Sequence, residues 1–146
     1  MAETLGSLCD KLTIVKLKQW HSEDPARVAS LNGQEKQLKE EINLFVAAAI
    51  SGNIPVDKLS FAANKVFKKE GNVIRKIEGD IGLAFSELAE VNCKLWHEQE
   101  KVYEFERVAA AEKDGVVKQL AILNLERNQC IDLIDKKFRS VIESMQ

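Results

Sequence analysis

The sequence predicts an all-α protein, an antiparallel bundle of five or six helices forming a single domain over residues 1–146. Apolar residues recur at alternating steps of three and four along almost the whole chain, the pattern of amphipathic helices. Seven glycines and two prolines in 146 residues are too few for the many turns of a β protein. With 45% hydrophobic and 30% charged residues, the composition is that of a globular domain large enough to bury its own core.

The first two helices have start and stop signals at their junction. The apolar stripe of the first helix is Leu5, Leu8, Leu12 and Val15. We expect this helix to end near Ser22, because Asp24 followed by Pro25 forms an N-cap and first-turn pair for the next helix. The second stripe is Val28, Leu31, Leu38, Ile42, Phe45 and Ala49. The glycine and proline within residues 52–55 end this helix.

The third predicted helix opens at Pro55 or Asp57 and contains several glycines. Its stripe is Leu59, Ala63, Val66, Val73 and Ile77. Each glycine costs about 1 kcal/mol in a helix interior, so a break is expected at Gly71 or within residues 79–82. A restart near Asp80 is the favoured interpretation.

The last two predicted helices are separated by a turn at Asp114 and Gly115. The fourth stripe is Ala84, Leu88, Val91, Leu95 and Val102, and that helix is expected to run to about Lys113. The fifth stripe is Val116, Leu120, Leu123, Ile131, Ile134, Phe138, Val141 and Met145.

One phrase, Leu-x-x-Val-x-x-Lys-x-Trp-His-x-x-acid, occurs twice, over residues 12–24 and 88–100. The two copies hold every tryptophan and histidine of the chain: Trp20, His21, Trp96 and His97. They indicate a weak internal helical repeat. At about 100° per residue, leucine and valine form a core seam, tryptophan lies about 80° away at its edge, and histidine lies about 180° away. A tryptophan at this edge can bury its ring while its N–H reaches a partner or water. We expect the histidines to act together only if a neighbouring helix or a second subunit brings them in.

The first helix is apolar on two sides, because Ile14 and Leu17 share the side of His21. Such a helix is either sandwiched between neighbours or used in an oligomer contact. The sequence therefore favours a non-enzymatic bundle that works through protein contacts, with self-association as a homo-oligomer or a protein partner.

Two asparagines fall inside apolar arcs, about 40° from the seam leucine of their helices. A buried amide without a partner costs about 1 to 3 kcal/mol, so Asn92 and Asn124 are expected to pair with each other, fix helix register or line a small polar pocket. Together with Trp20, Trp96 and Arg127 they form the candidate ligand-binding set, at a pocket between the repeat helices.

Each copy of the phrase also contains a His-x-x-acid pair, His21 with Asp24 and His97 with Glu100. Residues at i and i+3 share a helix face, so two such pairs on facing helices would suit a divalent metal. Asp24 is already the N-cap of the second helix, and the histidines lie away from the core seam. We favour surface histidines with nearby carboxylates and expect no cofactor.

A different enzyme hypothesis rests on Glu87, Glu90, Asp132 and Asp135. Two i, i+3 carboxylate pairs on two helices are the kind of ligand that Mg²⁺ prefers, as in all-α nucleotide pyrophosphohydrolases. Acidic pairs at this spacing are also expected by chance in a chain with 23 acidic residues. A metal-dependent or small-ligand enzyme is therefore the alternative function.

Neither nucleic acid nor a membrane is implied as a partner, and we expect the protein to stay in the cytoplasm. The N-terminus has neither the basic segment nor the apolar segment of a secretory signal. The longest apolar run, residues 44–50, is far short of the about 20 residues of a membrane helix. The net charge is −2, and positive and negative residues are mixed along the chain, so no positive electrostatic field favours binding of nucleic acid. The three cysteines fit no metal-site spacing and are expected to be reduced and packed as small apolar residues: Cys9, Cys93 and Cys130.

Three segments resemble a bacterial family of helical proteins of unknown function, found near glycosyltransferase and surface-polysaccharide genes. They are residues 8–21 with Leu-Cys-Asp-Lys-Leu-Thr-Ile and Lys-x-Trp-His, residues 88–96 with Leu-Ala-Glu-Val-Asn and Leu-Trp, and residues 123–128 with Leu-Asn-x-Glu-Arg-Asn. The resemblance brings no activity. It implies that nine residues matter together: Asp10, Lys11, Lys18, Trp20, His21, Asn92, Trp96, Asn124 and Arg127.

Overall fold

A computed structural model describes residues 2–62 and 75–146, and within these ranges it contains four α-helices. They are α1 (Leu5–His21), α2 (Pro25–Ser51), α3 (Ile81–Tyr103) and α4 (Ala110–Ser144). Two short 3₁₀ helices, Val56–Lys58 and Phe105–Arg107, lie in the connections. The described residues are 81% helical and include no strand, which confirms the all-α class. None of the described helices combines the length and apolarity that a membrane span needs.

The junction between α1 and α2 follows the local signals. The Thr4 side chain accepts a hydrogen bond from the Ser7 backbone N at 3.2 Å, and the Thr4 N donates to Ser7 Oγ at 2.8 Å, which caps α1 reciprocally. Asp24 Oδ1 accepts from the Ala26 N at 3.2 Å and caps α2. Gly52 ends α2 in the left-handed conformation at φ 81°. The predicted end of α1 and both predicted ends of α2 are confirmed.

Helix α1 is the central element of the bundle, because it packs against α2, α3 and α4. The side chains of Ile14 and Leu17, on its second apolar side, are accordingly half-buried. Of the two arrangements expected for a helix that is apolar on two sides, the structure shows the sandwiched one.

The core lies where α3 and α4 pack on each other and on α1. The most completely buried side chains are Leu59, Leu88, Val91, Leu123, Cys130 and Ile134. Leu88 and Val91 therefore form the core seam that the repeated phrase predicts. All three cysteines are free. Burial raises the pKa of both the Cys9 and the Cys130 thiols to about 12, whereas Cys93 is exposed and does not pack as expected.

The third and fifth helices differ from the prediction. Residues 56–58 form a 3₁₀ turn and residues 75–80 are irregular, while Ala63, Val66, Gly71 and Val73 lie outside the described residues. Leu59 and Ile77 are nevertheless buried. The count of five or six helices is not confirmed, but the restart at Asp80 is, since Asp80 precedes the first residue of α3.

The predicted turn at Asp114 and Gly115 is wrong. Helix α3 ends at Tyr103 rather than near residue 113, and α4 begins at Ala110 and runs through Gly115. One glycine weakens a helix by about 1 kcal/mol. Burial of the neighbouring Val116, which is 7% exposed, is worth about 1.5 to 3 kcal/mol, so tertiary packing overrides the local signal.

The closest approach of α1 to α4 occurs at Gly6. A Cβ atom there would lie 2.5 Å from the carbonyl oxygen of Ile131 and 2.9 Å from Asp135 Oδ1. The Gly6 backbone N donates a 2.7 Å hydrogen bond to the same Oδ1. Only glycine lets the two helices meet this closely.

We predict that Gly6→Ala lowers the free energy of unfolding by about 1 to 3 kcal/mol, because a methyl group forces α1 away from the Ile131 carbonyl. Gly33→Ala is the matched control, since Gly33 is exposed within α2 with no atom near the added Cβ. It should stabilise the protein by about 0.5 to 1 kcal/mol. Urea unfolding measures both, and equal effects of the two substitutions would contradict the close crossing.

Candidate functional site

Three polar side chains, one each from α1, α3 and α4, meet in the interior. We call Asp10, Asn92 and Arg127 the Asp10 cluster. Arg127 Nε donates to Asp10 Oδ1 at 2.8 Å and Nη2 to Oδ2 at 2.5 Å, a bidentate pair. Asn92 Nδ2 donates to Asp10 Oδ1 at 2.9 Å. Asp10 and Asn92 are each 3% exposed, so the cluster joins three helices through one buried carboxylate.

A second buried carboxylate, Asp135 on α4, lies eight residues after Arg127 and is 4% exposed. It accepts the hydrogen bond from the Gly6 N described above and another from the Thr4 side chain, both at the start of α1. Burial raises the pKa of Asp135 to about 6, and the neighbouring Asp132 adds to the rise, while the two hydrogen bonds oppose it. Asp135 therefore caps α1 from another helix and is largely ionised at neutral pH.

A cavity of about 640 Å³ lies between α1 and α4 and reaches solvent. Asp10 and Arg127 line it at one end, and Asp135 and Thr4 line it at the other. Apolar side chains make up much of the rest of the wall: Ile14, Phe61 and Ile131. The cavity thus combines an apolar body with a few convergent polar groups, as small-molecule sites do.

The predicted ligand-binding set is only partly assembled. Arg127 lines the cavity. Asn92 is not among the lining residues but donates a hydrogen bond to Asp10, which is. Asn124 is exposed, and its side chain donates to the Leu120 carbonyl at 3.0 Å, so the expected Asn92–Asn124 pair is wrong. The buried arc of α4 includes Leu123 but leaves Leu120 only partly covered, which turns Asn124 outward.

The two tryptophans have different surroundings, and the internal repeat is not confirmed as a structural one. Trp20, near the end of α1, is 86% exposed, so its ring is not buried. Trp96 is half-buried, and its Nε1 donates to Glu100 Oε1 at 2.8 Å, as expected for an edge position. The difference arises because Trp96 lies inside a helix that faces α1, whereas Trp20 lies just before the chain turns into α2.

The histidine of the first copy contacts the tryptophan of the second. The rings of His21 and Trp96 stack with centroids 4.6 Å apart and planes 20° from parallel. His21 Nδ1 lies 2.8 Å from the Leu17 carbonyl oxygen, which can only accept, so this nitrogen carries a proton. His97 instead lies 4.0 Å from Glu100 on the surface of α3.

The candidate metal ligands have other partners or lie apart. Asp24 caps α2, and Glu100 receives the Trp96 indole. Of the Mg²⁺ candidates, Glu87 pairs with Arg75 at 2.7 Å, and Glu90 lies 3.4 Å from Lys94. Asp135 accepts from Gly6, and Asp132 stands one turn before it on α4. Within residues 2–62 and 75–146, no three histidine, cysteine or acidic side chains gather closely enough to hold a metal ion.

The sequence does not identify several of the residues that line the cavity, and it points to others for a different reason. The sequence placed Asp135 among metal ligands, not at the N-terminus of α1, and nothing local identifies Gly6 as a crossing point. Five cavity residues do fall within residues 8–21 and 123–128, two of the three segments that the sequence analysis singles out: Asp10, Lys11, Ile14, Arg127 and Asn128. The chain matches no protein-family model, no curated protein and no solved structure.

We predict that Arg127→Met destabilises the protein more than Asp10→Asn. The first change leaves a buried carboxylate with only an amide partner, which costs about 3 kcal/mol or more. The second leaves a guanidinium that is 31% exposed and turns to water, which costs about 1 to 2 kcal/mol.

Urea unfolding of the two variants and of Asp10→Asn/Arg127→Met gives the coupling between the two side chains. The double variant should cost less than the sum of the single ones. If the destabilisations of the two single variants add up to that of the double variant, the pairing of Asp10 with Arg127 contributes nothing to the free energy of unfolding.

Proposed function

We propose that the protein binds a small ligand in the cavity between α1 and α4. The observation that carries this proposal is the cavity itself, about 640 Å³ and open to solvent, with Arg127 held in its wall. Small-molecule sites have volumes of about 300 to 1,000 Å³. The site differs from the pocket expected between the repeat helices α1 and α3, where Asn92 and Asp10 contact each other directly.

The Asp10 cluster supports binding because it orders Arg127 before any ligand arrives. The guanidinium is fixed by the two hydrogen bonds that it donates to Asp10, and Asp10 is fixed in turn by the hydrogen bond that Asn92 donates to it. A ligand that contacts Arg127 therefore does not have to order a flexible side chain, which is one of the main costs of association. Three free thiols suit a reducing compartment, and a cytoplasmic location remains part of the proposal.

The test is an amide NMR titration with a mixed-charge set of small aromatic and aliphatic fragments at about 1 mM, which detects weak binding. We expect some fragments to shift the amides of Gly6, Phe61 and Asn128. The variant Ile14→Trp, which fills the cavity, should abolish these shifts.

Leu44→Trp is the matched control, because Leu44 is exposed on α2, away from the residues that line the cavity. Its fragment shifts should equal those of the wild type. If no fragment shifts the cavity amides, or if both tryptophan variants behave alike, ligand binding at this site is refuted.

A second candidate, self-association as a homo-oligomer, is supported by exposed apolar side chains at one end of the bundle. Contacts between Phe45 and Phe138 and between Asp80 and Lys137 bring the end of α2 and the start of α3 beside the end of α4. Large apolar side chains are exposed there: Ile50, Leu83, Val141 and Met145. Such groups are typical of contact surfaces between subunits.

We expect light scattering to show a dimer in the range up to about 100 μM, and Val141→Glu to give a monomer. Val117→Glu is the matched control, on the same helix with a similar exposure, 56% against 48%, but near its other end. It should leave the dimer intact. A wild-type monomer, or a dimer that both variants weaken equally, would exclude association through this end.

A further inference from the structure

Asp135 is a buried carboxylate that faces the cavity without a counter-charge. Two other carboxylates line the cavity, and each has a cationic partner: Glu3 pairs with Lys11, and Asp10 pairs with Arg127. Within the described ranges, Asp135 has no ion pair and only uncharged donors, the Gly6 N and the Thr4 side chain. Among the described residues that line the cavity, three carboxylates therefore stand against two cationic side chains, and Asp135 is the carboxylate without a cationic partner.

Such an arrangement is electrostatically incomplete at neutral pH. A carboxylate taken out of water needs compensation, and two hydrogen bonds supply only part of it. The raised pKa of Asp135, about 6, reports the same deficit, since burial is its largest cause. A cation in the cavity beside Asp135 would supply this compensation.

We propose that the ligand carries a protonated amine that pairs with Asp135, joined to an apolar body that packs against Ile131, Phe61 and Ile14. This inference rests on the proposed function and names the chemistry of the ligand at that site. The amine would lie at the end of the cavity where Asp135 and Thr4 stand, and the apolar body along the wall toward Arg127.

The charges of the cavity favour an amine over an anion. Lys11 and Arg127 are the cations in its lining, and both already contact carboxylates. An anionic ligand would have to displace one of these carboxylates or lie near the unbalanced charge of Asp135. Either arrangement costs more than placing a cation beside a free negative charge.

The pairing makes binding pH-dependent. Asp135 loses its charge as the pH falls through its pKa of about 6, whereas an alkylamine, with a pKa of about 10, stays protonated. The charged or titratable groups around Asp135 are Arg127, Asp132 and Arg139 on its own helix, Glu3 just before α1, and Cys9, Asp10 and Lys11 on α1. The Cys9 thiol, with a pKa of about 12, stays neutral throughout. The affinity for an amine should therefore fall about tenfold between pH 7.5 and pH 5.

The test compares three probes that share a phenyl body and differ in the head group: 2-phenylethylamine, 2-phenylethanol and 3-phenylpropionate. Amide NMR titration at pH 7.5 should show the amine binding about tenfold or more tightly than the alcohol, and the carboxylate binding most weakly. At pH 5 the advantage of the amine should shrink, while the alcohol should be unaffected.

Asp135→Asn should reduce the affinity for the amine to that for the alcohol and leave the alcohol unchanged, because the amide keeps an oxygen for the Gly6 N–H. Asp114→Asn is the matched control, an exposed aspartate on the same helix. It should leave the amine affinity at its wild-type value. Urea unfolding of both variants checks the fold, and the pH series on the wild type tests the same charge without a substitution.

Failure of this inference is distinguishable from failure of the proposed function. If all three probes bind equally, or if the carboxylate binds best, the cavity is a ligand site but the amine assignment is wrong. The same holds if other fragments shift the cavity amides while none of the three probes does. If neither the probes nor the mixed-charge fragments shift these amides, both proposals are wrong.

Discussion

The Asp10 carboxylate is the constraint on which the rest of the structure depends. It is buried, so it must be satisfied, and its partners come from two other helices, Arg127 of α4 and Asn92 of α3. A shift of α1 by one turn against either helix would leave a buried charge without a partner, which is far more costly than a change in apolar packing. Because α2 follows α1 after a short, capped junction, this single register also sets where α2 lies.

The cavity results from two opposite requirements on the contact between α1 and α4. At Gly6 the backbones nearly touch, and the Asp135 carboxylate bonds directly to the first turn of α1. Near Asp10, the long Arg127 side chain must fit between the same helices. Within about two helical turns, the interface therefore changes from a close contact at Gly6 to a wide one at Arg127. The cavity lies beside it and is lined by charged groups that already stabilise the fold. A ligand in this space would contact side chains that packing has already fixed.

The sequence predicts the parts of this structure that local chemistry determines. The N-cap Asp24, the left-handed Gly52 and the seam of Leu88 and Val91 all follow from short patterns. Gly115 does not break α4, because the burial of nearby side chains outweighs one glycine. The sequence also indicates correctly that Asn92 is buried and needs a partner. It does not identify that partner, because the choice between Asn124 and Asp10 depends on how α1, α3 and α4 rotate against each other, and no local pattern encodes this rotation.

The repeated phrase shows why a sequence repeat need not duplicate a site. Aligned copy on copy, Gly6 corresponds to Gly82, yet only Gly6 meets another helix, since a Cβ at Gly82 would have no neighbour. Asp10 corresponds to Ser86, and Ile14 to Glu90, and both equivalents are exposed. The shared positions are those that build a helix seam, whereas of the two helices that contain the copies only α1 lines the cavity. The contact between His21 and Trp96 is a packing link between the copies, and the proposed ligand site depends on positions where the copies differ.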